Sequence, residues 1–115
     1  MGSEMCIRDR INLDPENADA HVNLGRLCQL RGDLKSAKRH YQRALETTSS
    51  HQLAYYNMGT VFDELDEIDL AVKFYRKALS VADAHYNLAR IHEIRGDRLS
   101  SLRHLRQYRR LMDLD

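Results

Sequence analysis

The sequence is poor in residues that interrupt or crosslink a chain. Its 115 residues include one proline, five glycines, two cysteines and no tryptophan. The shortage of helix breakers favours helix, and Cys6 and Cys28 lack the spacing of a disulfide framework or a zinc site. No apolar run reaches membrane-spanning length and no secretory signal is visible, so we expect a soluble, cytoplasmic protein with no membrane partner.

The sequence also lacks an excess of charge of either sign, and it lacks catalytic motifs. Eighteen Lys and Arg residues stand against 17 Asp and Glu residues, so no overall field directs the chain to nucleic acid, which is not expected as a partner. There is no GxSxG, Walker A, HExxH or glycine-rich phosphate loop. We therefore expect no enzyme activity, no cofactor and no metal site.

One segment of the chain occurs three times. Ala20–Arg26 (AHVNLGR) returns as Ala54–Thr60 (AYYNMGT) and as Ala84–Arg90 (AHYNLAR). The second step along the chain is shorter than the first by four positions, so one junction between repeats is abbreviated. Repetition with a period of this size indicates a solenoid of stacked supersecondary units.

The repeated residues resemble the tetratricopeptide repeat (TPR) pattern, whose period is about 34 residues. Leu13-Asp14-Pro15 resembles the end of such a repeat, and the slots of the next repeat are filled by His21, Leu24-Gly25, Cys28, Ala37, Tyr41 and Ala44. The second copy is similar, and the third is degenerate. The resemblance covers most of the chain and implies an all-α helix-turn-helix solenoid that binds other proteins. The chain is then expected to be a fragment of a longer TPR protein.

This resemblance divides the chain as follows. Residues 1–10 are interpreted as a non-native leader, because Met1–Ser3 resembles a start added for expression and Met5–Arg10 resembles a translated sequencing adapter. Residues 11–17 are interpreted as the end of a truncated repeat. The repeats span 18–51, 52–81 (short) and 82–115 (degenerate). We predict two helices in each repeat: Ala18–Arg31, Asp33–Thr48, His51–Leu65, Glu67–Ser80, Ala82–Arg95 and Asp97–Met112.

The short junction leaves two structures open. No glycine or proline occurs between Glu67 and Arg95, so the helices on either side of Val81-Ala82 either meet at a tight corner or fuse into one helix of about 29 residues. Fusion would carry the third repeat away from the second and favour a domain-swapped homodimer.

The expected functional surface is the concave groove formed by the first helix of each repeat. The TPR resemblance implies that equivalent asparagines, with tyrosines beside them and arginines one turn on, contact a peptide there: Asn23, Arg26, Tyr56, Asn57, Tyr86, Asn87 and Arg90. His21 and His85 occupy the slot usually filled by an aromatic residue, so we interpret them as packing residues.

Two functions compete at this stage. The first is a non-catalytic interaction scaffold that binds a peptide segment of a partner in the groove. The second is a self-assembling structural module, a domain-swapped or end-to-end homodimer without a separate ligand. The second is suggested by the short junction and by a last helix that carries Leu102, Leu105 and Leu111 with no helix after it.

Overall fold

The computed structural model describes residues 17–113 and shows, within that range, only helices and turns. Six helices follow one another between residues 17 and 113: α1 (Ala18–Leu30), α2 (Leu34–Thr47), α3 (Gln52–Glu64), α4 (Ile68–Tyr75), α5 (Ala82–Ile94) and α6 (Arg98–Leu111). They form three helix pairs, α1–α2, α3–α4 and α5–α6, stacked in chain order. The predicted all-α solenoid of helix pairs is confirmed, whereas the leader predicted at 1–10 and residues 11–16 of the predicted repeat end lie outside the described residues.

The turns inside the repeats follow from the local sequence. Gly32 and Gly96 take the left-handed conformation with φ of 82° and 84°, which a residue without Cβ adopts at no steric cost. Asp33 and Asp97 then cap the next helix by accepting a hydrogen bond from the backbone N–H of the residue three positions on. In the second repeat Asp66 takes the left-handed position with φ of 60°.

The junction between the second and third repeats is a corner. Helix α4 ends at Tyr75 and α5 begins at Ala82, so the fused-helix alternative is wrong, and the helix predicted for 67–80 extends five residues too far. Turn hydrogen bonds from Lys77 N–H to Phe74 O and from Ala78 N–H to Tyr75 O replace the helical pattern. The four missing residues therefore shorten α4, which has 8 residues against 14 in α2, and the connecting loop is not shortened.

A gap-filling tyrosine and a small residue hold each of the first two helix pairs together. Tyr41 and Tyr75 are fully buried. A Cβ built on Gly25 would lie 2.5 Å from Tyr41 Cε1, and one built on Gly59 would lie 2.5 Å from Tyr75 Cδ1. The glycines are therefore required by the close approach of the rings, and this packing sets the spacing between α1 and α2 and between α3 and α4.

Candidate binding groove

Helices α1, α3 and α5 place their equivalent residues along one side of the solenoid, here called the groove. The asparagine slot is not uniform along it. Asn23 is exposed, while Asn57 is 6% exposed and its side-chain Nδ2 has no hydrogen-bond partner among residues 17–113. Asn87 is half-buried and donates from Nδ2 to Tyr56 Oη at 3.3 Å. The three predicted asparagines thus present three different surroundings, and only Asn57 combines burial with an unused donor.

The two tyrosines beside these asparagines pack on the second helices of their own repeats. The Tyr56 ring centroid is 5.7 Å from that of Tyr75, and Tyr86 is 5.5 Å from Tyr108. Burial raises the pKa of Tyr56, and the carboxylate of Asp83 adds to the shift. Tyr86 keeps half of its surface exposed. Both rings therefore offer apolar area with a polar hydroxyl at its edge.

A polar chain links each repeat to the next. Tyr41 Oη donates to Gln29 Oε1 at 2.8 Å, and Gln29 Nε2 donates to Thr60 Oγ1 at 2.9 Å. At the next junction the hydroxyl of Tyr75 donates to Asp63 Oδ2 at 3.0 Å, and Arg90 donates to the same oxygen in an ion pair. These hydrogen bonds thus connect the second helix of one repeat to the first helix of the following repeat.

This linkage separates the two arginines predicted for the groove. Arg90 is engaged by Asp63. Arg26 occupies the same slot in the first repeat, is exposed, and has no hydrogen-bond or ion-pair partner among residues 17–113. Its guanidinium is therefore available for bidentate contact with a carboxylate, whereas Arg90 would first have to release Asp63.

A cavity of about 270 Å³ opens between α1 and α3. Its walls combine charged, amide, hydroxyl and apolar groups: Arg26, Gln29, Leu30, Asn57, Thr60 and Glu64. Leu30 is 83% exposed, and Glu64 Oε1 accepts a hydrogen bond from Gln29 Nε2 at 2.6 Å. The structure therefore brings the predicted Arg26 and Asn57 together at one site, while Asn23, Tyr56, Tyr86, Asn87 and Arg90 are outside its walls.

Three residues of this site were not predicted from the sequence: Gln29, Leu30 and Glu64. A signal for Gln29 exists, because the interval from Gln29 to Asp63 equals that from Gly25 to Gly59, so the two occupy the same repeat slot. That equivalence predicts a polar link at both junctions. Leu30 and Glu64 carry no such signal, since an exposed leucine and a glutamate near a helix end are ordinary surface residues.

Burial tests the interpretation of His21 and His85 as packing residues. His21 and His85 are 1% and 5% exposed, which confirms their interpretation as packing residues, and Cys28 is 2% exposed. Within residues 17–113, no three His, Cys, Asp or Glu side chains are arranged to hold a metal ion. In the same range no helix has the length and apolar character needed to cross a bilayer.

Comparison with known proteins places this geometry in a wider group. A segment of 57 residues is 39% identical to the probable UDP-N-acetylglucosamine–peptide N-acetylglucosaminyltransferase SPINDLY of Oryza sativa subsp. japonica, covering 50% of this chain and 6% of that protein. Over 85 residues the chain is 27% identical to the human mitochondrial import receptor subunit TOM70, covering 73% of this chain and 14% of that protein. The chain thus spans a small fraction of the curated relatives it matches.

The solved structure of YrrB, described as a TPR protein with an unusual peptide-binding site, superposes with a TM-score of 0.81. It is 26% identical, and the match covers 95% of this chain and 58% of that one. The model of the family described as "Tetratricopeptide repeat" matches residues 16–84, which is more than half of the sequence. The chain belongs to the tetratricopeptide repeat family.

Proposed function

We propose that this chain is a non-catalytic interaction scaffold that binds an extended segment of a protein partner in the groove, with the cavity between α1 and α3 as its main contact. The family assignment and the likeness to a TPR protein with a peptide-binding site support this function. The chain contributes binding surface and no reacting groups, and it acts in the cytoplasm.

The observation that carries the proposal is the amide of Asn57. A buried donor without a partner costs about 1–3 kcal/mol, and Asn57 Nδ2 is such a donor at the wall of a cavity. A backbone carbonyl of a bound segment is the kind of acceptor that this amide lacks. Binding therefore recovers a hydrogen bond that the free protein does not make.

The remaining residues of the groove add contacts on either side of Asn57. Arg26 is available to bind a carboxylate of the segment, and the half-exposed Tyr86 offers apolar area. Asn87 and Arg90 already have partners within the chain, so we expect them to contribute less than Arg26 and Asn57. The proposed contact surface is completed by Asn23, Tyr56, Asn87 and Arg90.

Selection of peptides from a random library displayed on phage, followed by fluorescence polarisation with the selected peptides, tests this function. Asn57→Ala should weaken binding about tenfold, equivalent to one hydrogen bond at ~1.4 kcal/mol, and Arg26→Ala should weaken the binding of acidic peptides. Gln42→Ala, at an exposed position on α2, is the matched control and should bind as the unmodified chain does. Equal affinities for all four proteins would contradict groove binding.

Self-assembly is the second candidate function, and exposed leucines on α6 favour it. Leu99 is 68% exposed and Leu102 is 53% exposed, and no later helix covers them among the described residues. An end-to-end homodimer would bury this surface. The domain-swapped form has less support, because the third repeat packs on the second within its own chain through the Arg90–Asp63 and Arg95–Asp69 ion pairs.

Light scattering behind a sizing column distinguishes the two functions. An end-to-end dimer should dissociate on Leu102→Glu and be unaffected by Asn57→Ala, whereas groove binding should respond in the opposite way. A single mass near 13.4 kDa over a broad concentration range would rule out the homodimer.

A further inference from the structure

Histidine pairs join the two helices of the first and third repeats at the same place. The interval between the partners is the same in each pair, and the two pairs occupy equivalent slots of their repeats. The second repeat has an aromatic pair there, with ring centroids 6.3 Å apart. In chain order the three pairs are His21–His40, Tyr55–Phe74 and His85–His104. The same packing contact therefore occurs three times in the described part of the chain, twice as a histidine pair and once without histidine.

The hydrogen bonds of the third repeat fix which ring nitrogens carry protons. His85 Nε2 is 2.9 Å from the carbonyl oxygen of Leu79, which can only accept, so this nitrogen is the donor. Neutral His85 then has its lone pair on Nδ1, and Nδ1 of His104 donates to it at 2.9 Å. A second proton on His85 would place two N–H groups face to face and replace this hydrogen bond by repulsion.

In the first repeat the same two ring nitrogens face each other at a longer distance. The Nδ1 atoms of His21 and His40 are 3.4 Å apart, and the rings are stacked with centroids 5.7 Å apart. His21 is 1% exposed, so a charge on this ring would be almost fully withdrawn from water. Here too, the contact between the helices is compatible with at most one charged ring.

The groups around each pair oppose protonation further. Burial lowers the pKa of His40 to about 4, with His21, Arg39 and Arg43 acting in the same direction and only Asp33 opposing them. Burial also lowers the pKa of His104 to about 4, helped by His85, by His92 of α5 and by Arg76 of the preceding repeat. The ring of His92 stacks on His104 with centroids 5.6 Å apart.

We propose that the two histidine pairs are acid-sensitive contacts between the helices of the first and third repeats. Acidification separates α1 from α2 and α5 from α6, while the Tyr55–Phe74 contact keeps α3 and α4 together. Because α1 and α5 are the outer walls of the groove, acid would also release a segment bound there. The release of a bound segment rests on the proposed function, whereas the acid sensitivity of the two helix contacts does not.

The direction of the effect follows from proton linkage. A histidine with a folded-state pKa near 4 and an ordinary value of 6.5 contributes its full stability above pH 6.5 and loses it as the pH falls to 4. Each such group multiplies the unfolding equilibrium constant by up to about tenfold per pH unit in this window. With one such group in each pair, the two pairs together give up to about a hundredfold per pH unit.

The second repeat supplies the sequence for the matched variants. Urea unfolding between pH 4 and 8 would compare the unmodified chain with His21→Tyr/His40→Phe, with His85→Tyr/His104→Phe and with the combination of both. Each pair exchange should remove a factor of about ten per pH unit from the change of the unfolding equilibrium constant with pH, and the combination should remove a factor of about a hundred. His51, which caps α3 and contacts Asp19 at 2.8 Å, is present in all four proteins and cancels. Identical slopes in all four would overturn the proposal.

Two measurements on the unmodified chain cover the case in which a variant fails to fold. NMR titration of the imidazole rings should show His40 and His104 gaining their protons well below pH 6.5, and titration of both at their ordinary value would overturn the proposal. Hydrogen exchange at pH 5, corrected for the intrinsic rate and compared with pH 7, should show loss of protection in α1, α2, α5 and α6. Equal loss in α3 and α4 would refute the restriction to the outer repeats. Neither measurement uses a ligand, so its failure leaves the groove proposal standing.

Discussion

Replacing Gly59 by alanine should destabilise the protein, although alanine is the better helix former. A Cβ at this position would lie 2.5 and 2.6 Å from two ring carbons of Tyr75. The ring is completely buried, so it has no free space into which it can move. Overpacking of a filled core costs about 1–3 kcal/mol or more, while the gain in helix propensity is about 1 kcal/mol. We expect a net loss of up to roughly 2 kcal/mol in the free energy of unfolding.

The third repeat shows how the chain accommodates the extra methyl group. There the equivalents of Gly59 and Tyr75 are Ala89 and Leu105, and Ala89 is 2% exposed. The larger residue on one helix is thus matched by a smaller one on the other. In a Tyr75→Leu background, Gly59→Ala should therefore be neutral or stabilising, giving a coupling energy of at least ~1 kcal/mol.

Urea denaturation of the single and double variants at pH 7 measures this coupling. Ala89→Gly is the control, because no ring opposes this methyl group; removing it should cost at least about 1 kcal/mol, through lost helix propensity and lost burial of the methyl group. If Gly59→Ala costs the same with Tyr75 and with leucine at that position, the packing argument is refuted.

Three further changes are expected to alter stability. Glu67→Asp should stabilise by about 1 kcal/mol in thermal denaturation, because Glu67 is an N-cap without a side-chain hydrogen bond, whereas Asp33 makes one. Asp66→Gly should raise the free energy of unfolding by roughly 0.5–1 kcal/mol, because Asp66 has a left-handed φ of 60° and the equivalent turn of the first repeat has glycine there. An unchanged free energy in urea unfolding would contradict this. Burial raises the pKa of Tyr75, so above the ordinary tyrosine pKa of 10.0 this hydroxyl ionises only in the unfolded chain. The free energy of unfolding should therefore fall as the pH rises above 10.0, and Tyr75→Phe should reduce this fall.

The repeat spacing predicted most of the fold, because every helix pair uses the same residues for the same contacts. The ends of α1, α2, α3, α5 and α6 agree with the prediction to within two residues. The end of α4 does not, because a helix-favouring sequence predicts continuation. The chain instead turns to keep Ala78 buried, and Gln52 Oε1 accepts hydrogen bonds from the backbone N–H and hydroxyl of Ser80. Such a tertiary contact has no local sequence signal.

The candidate site was predictable in outline and not in detail. Repeat equivalence placed Arg26 and Arg90 in one slot, yet their surroundings differ because the residue that reaches them comes from a neighbouring repeat. At the second junction that residue is Asp63, which forms an ion pair with Arg90. Arg26, in the first repeat, has no such partner among residues 17–113. Equivalent positions in a repeat therefore predict location better than they predict availability for a ligand.

The most direct test of groove binding is a map of the backbone amides that change on binding. A selected peptide would be titrated into isotopically labelled protein at pH 7 and followed by heteronuclear NMR. The account predicts that the largest shifts occur at Arg26, Asn57 and Thr60, which line the cavity between α1 and α3. Shifts confined to α6, with these residues unchanged, would show that the partner binds the exposed face of the last helix and would contradict the central claim.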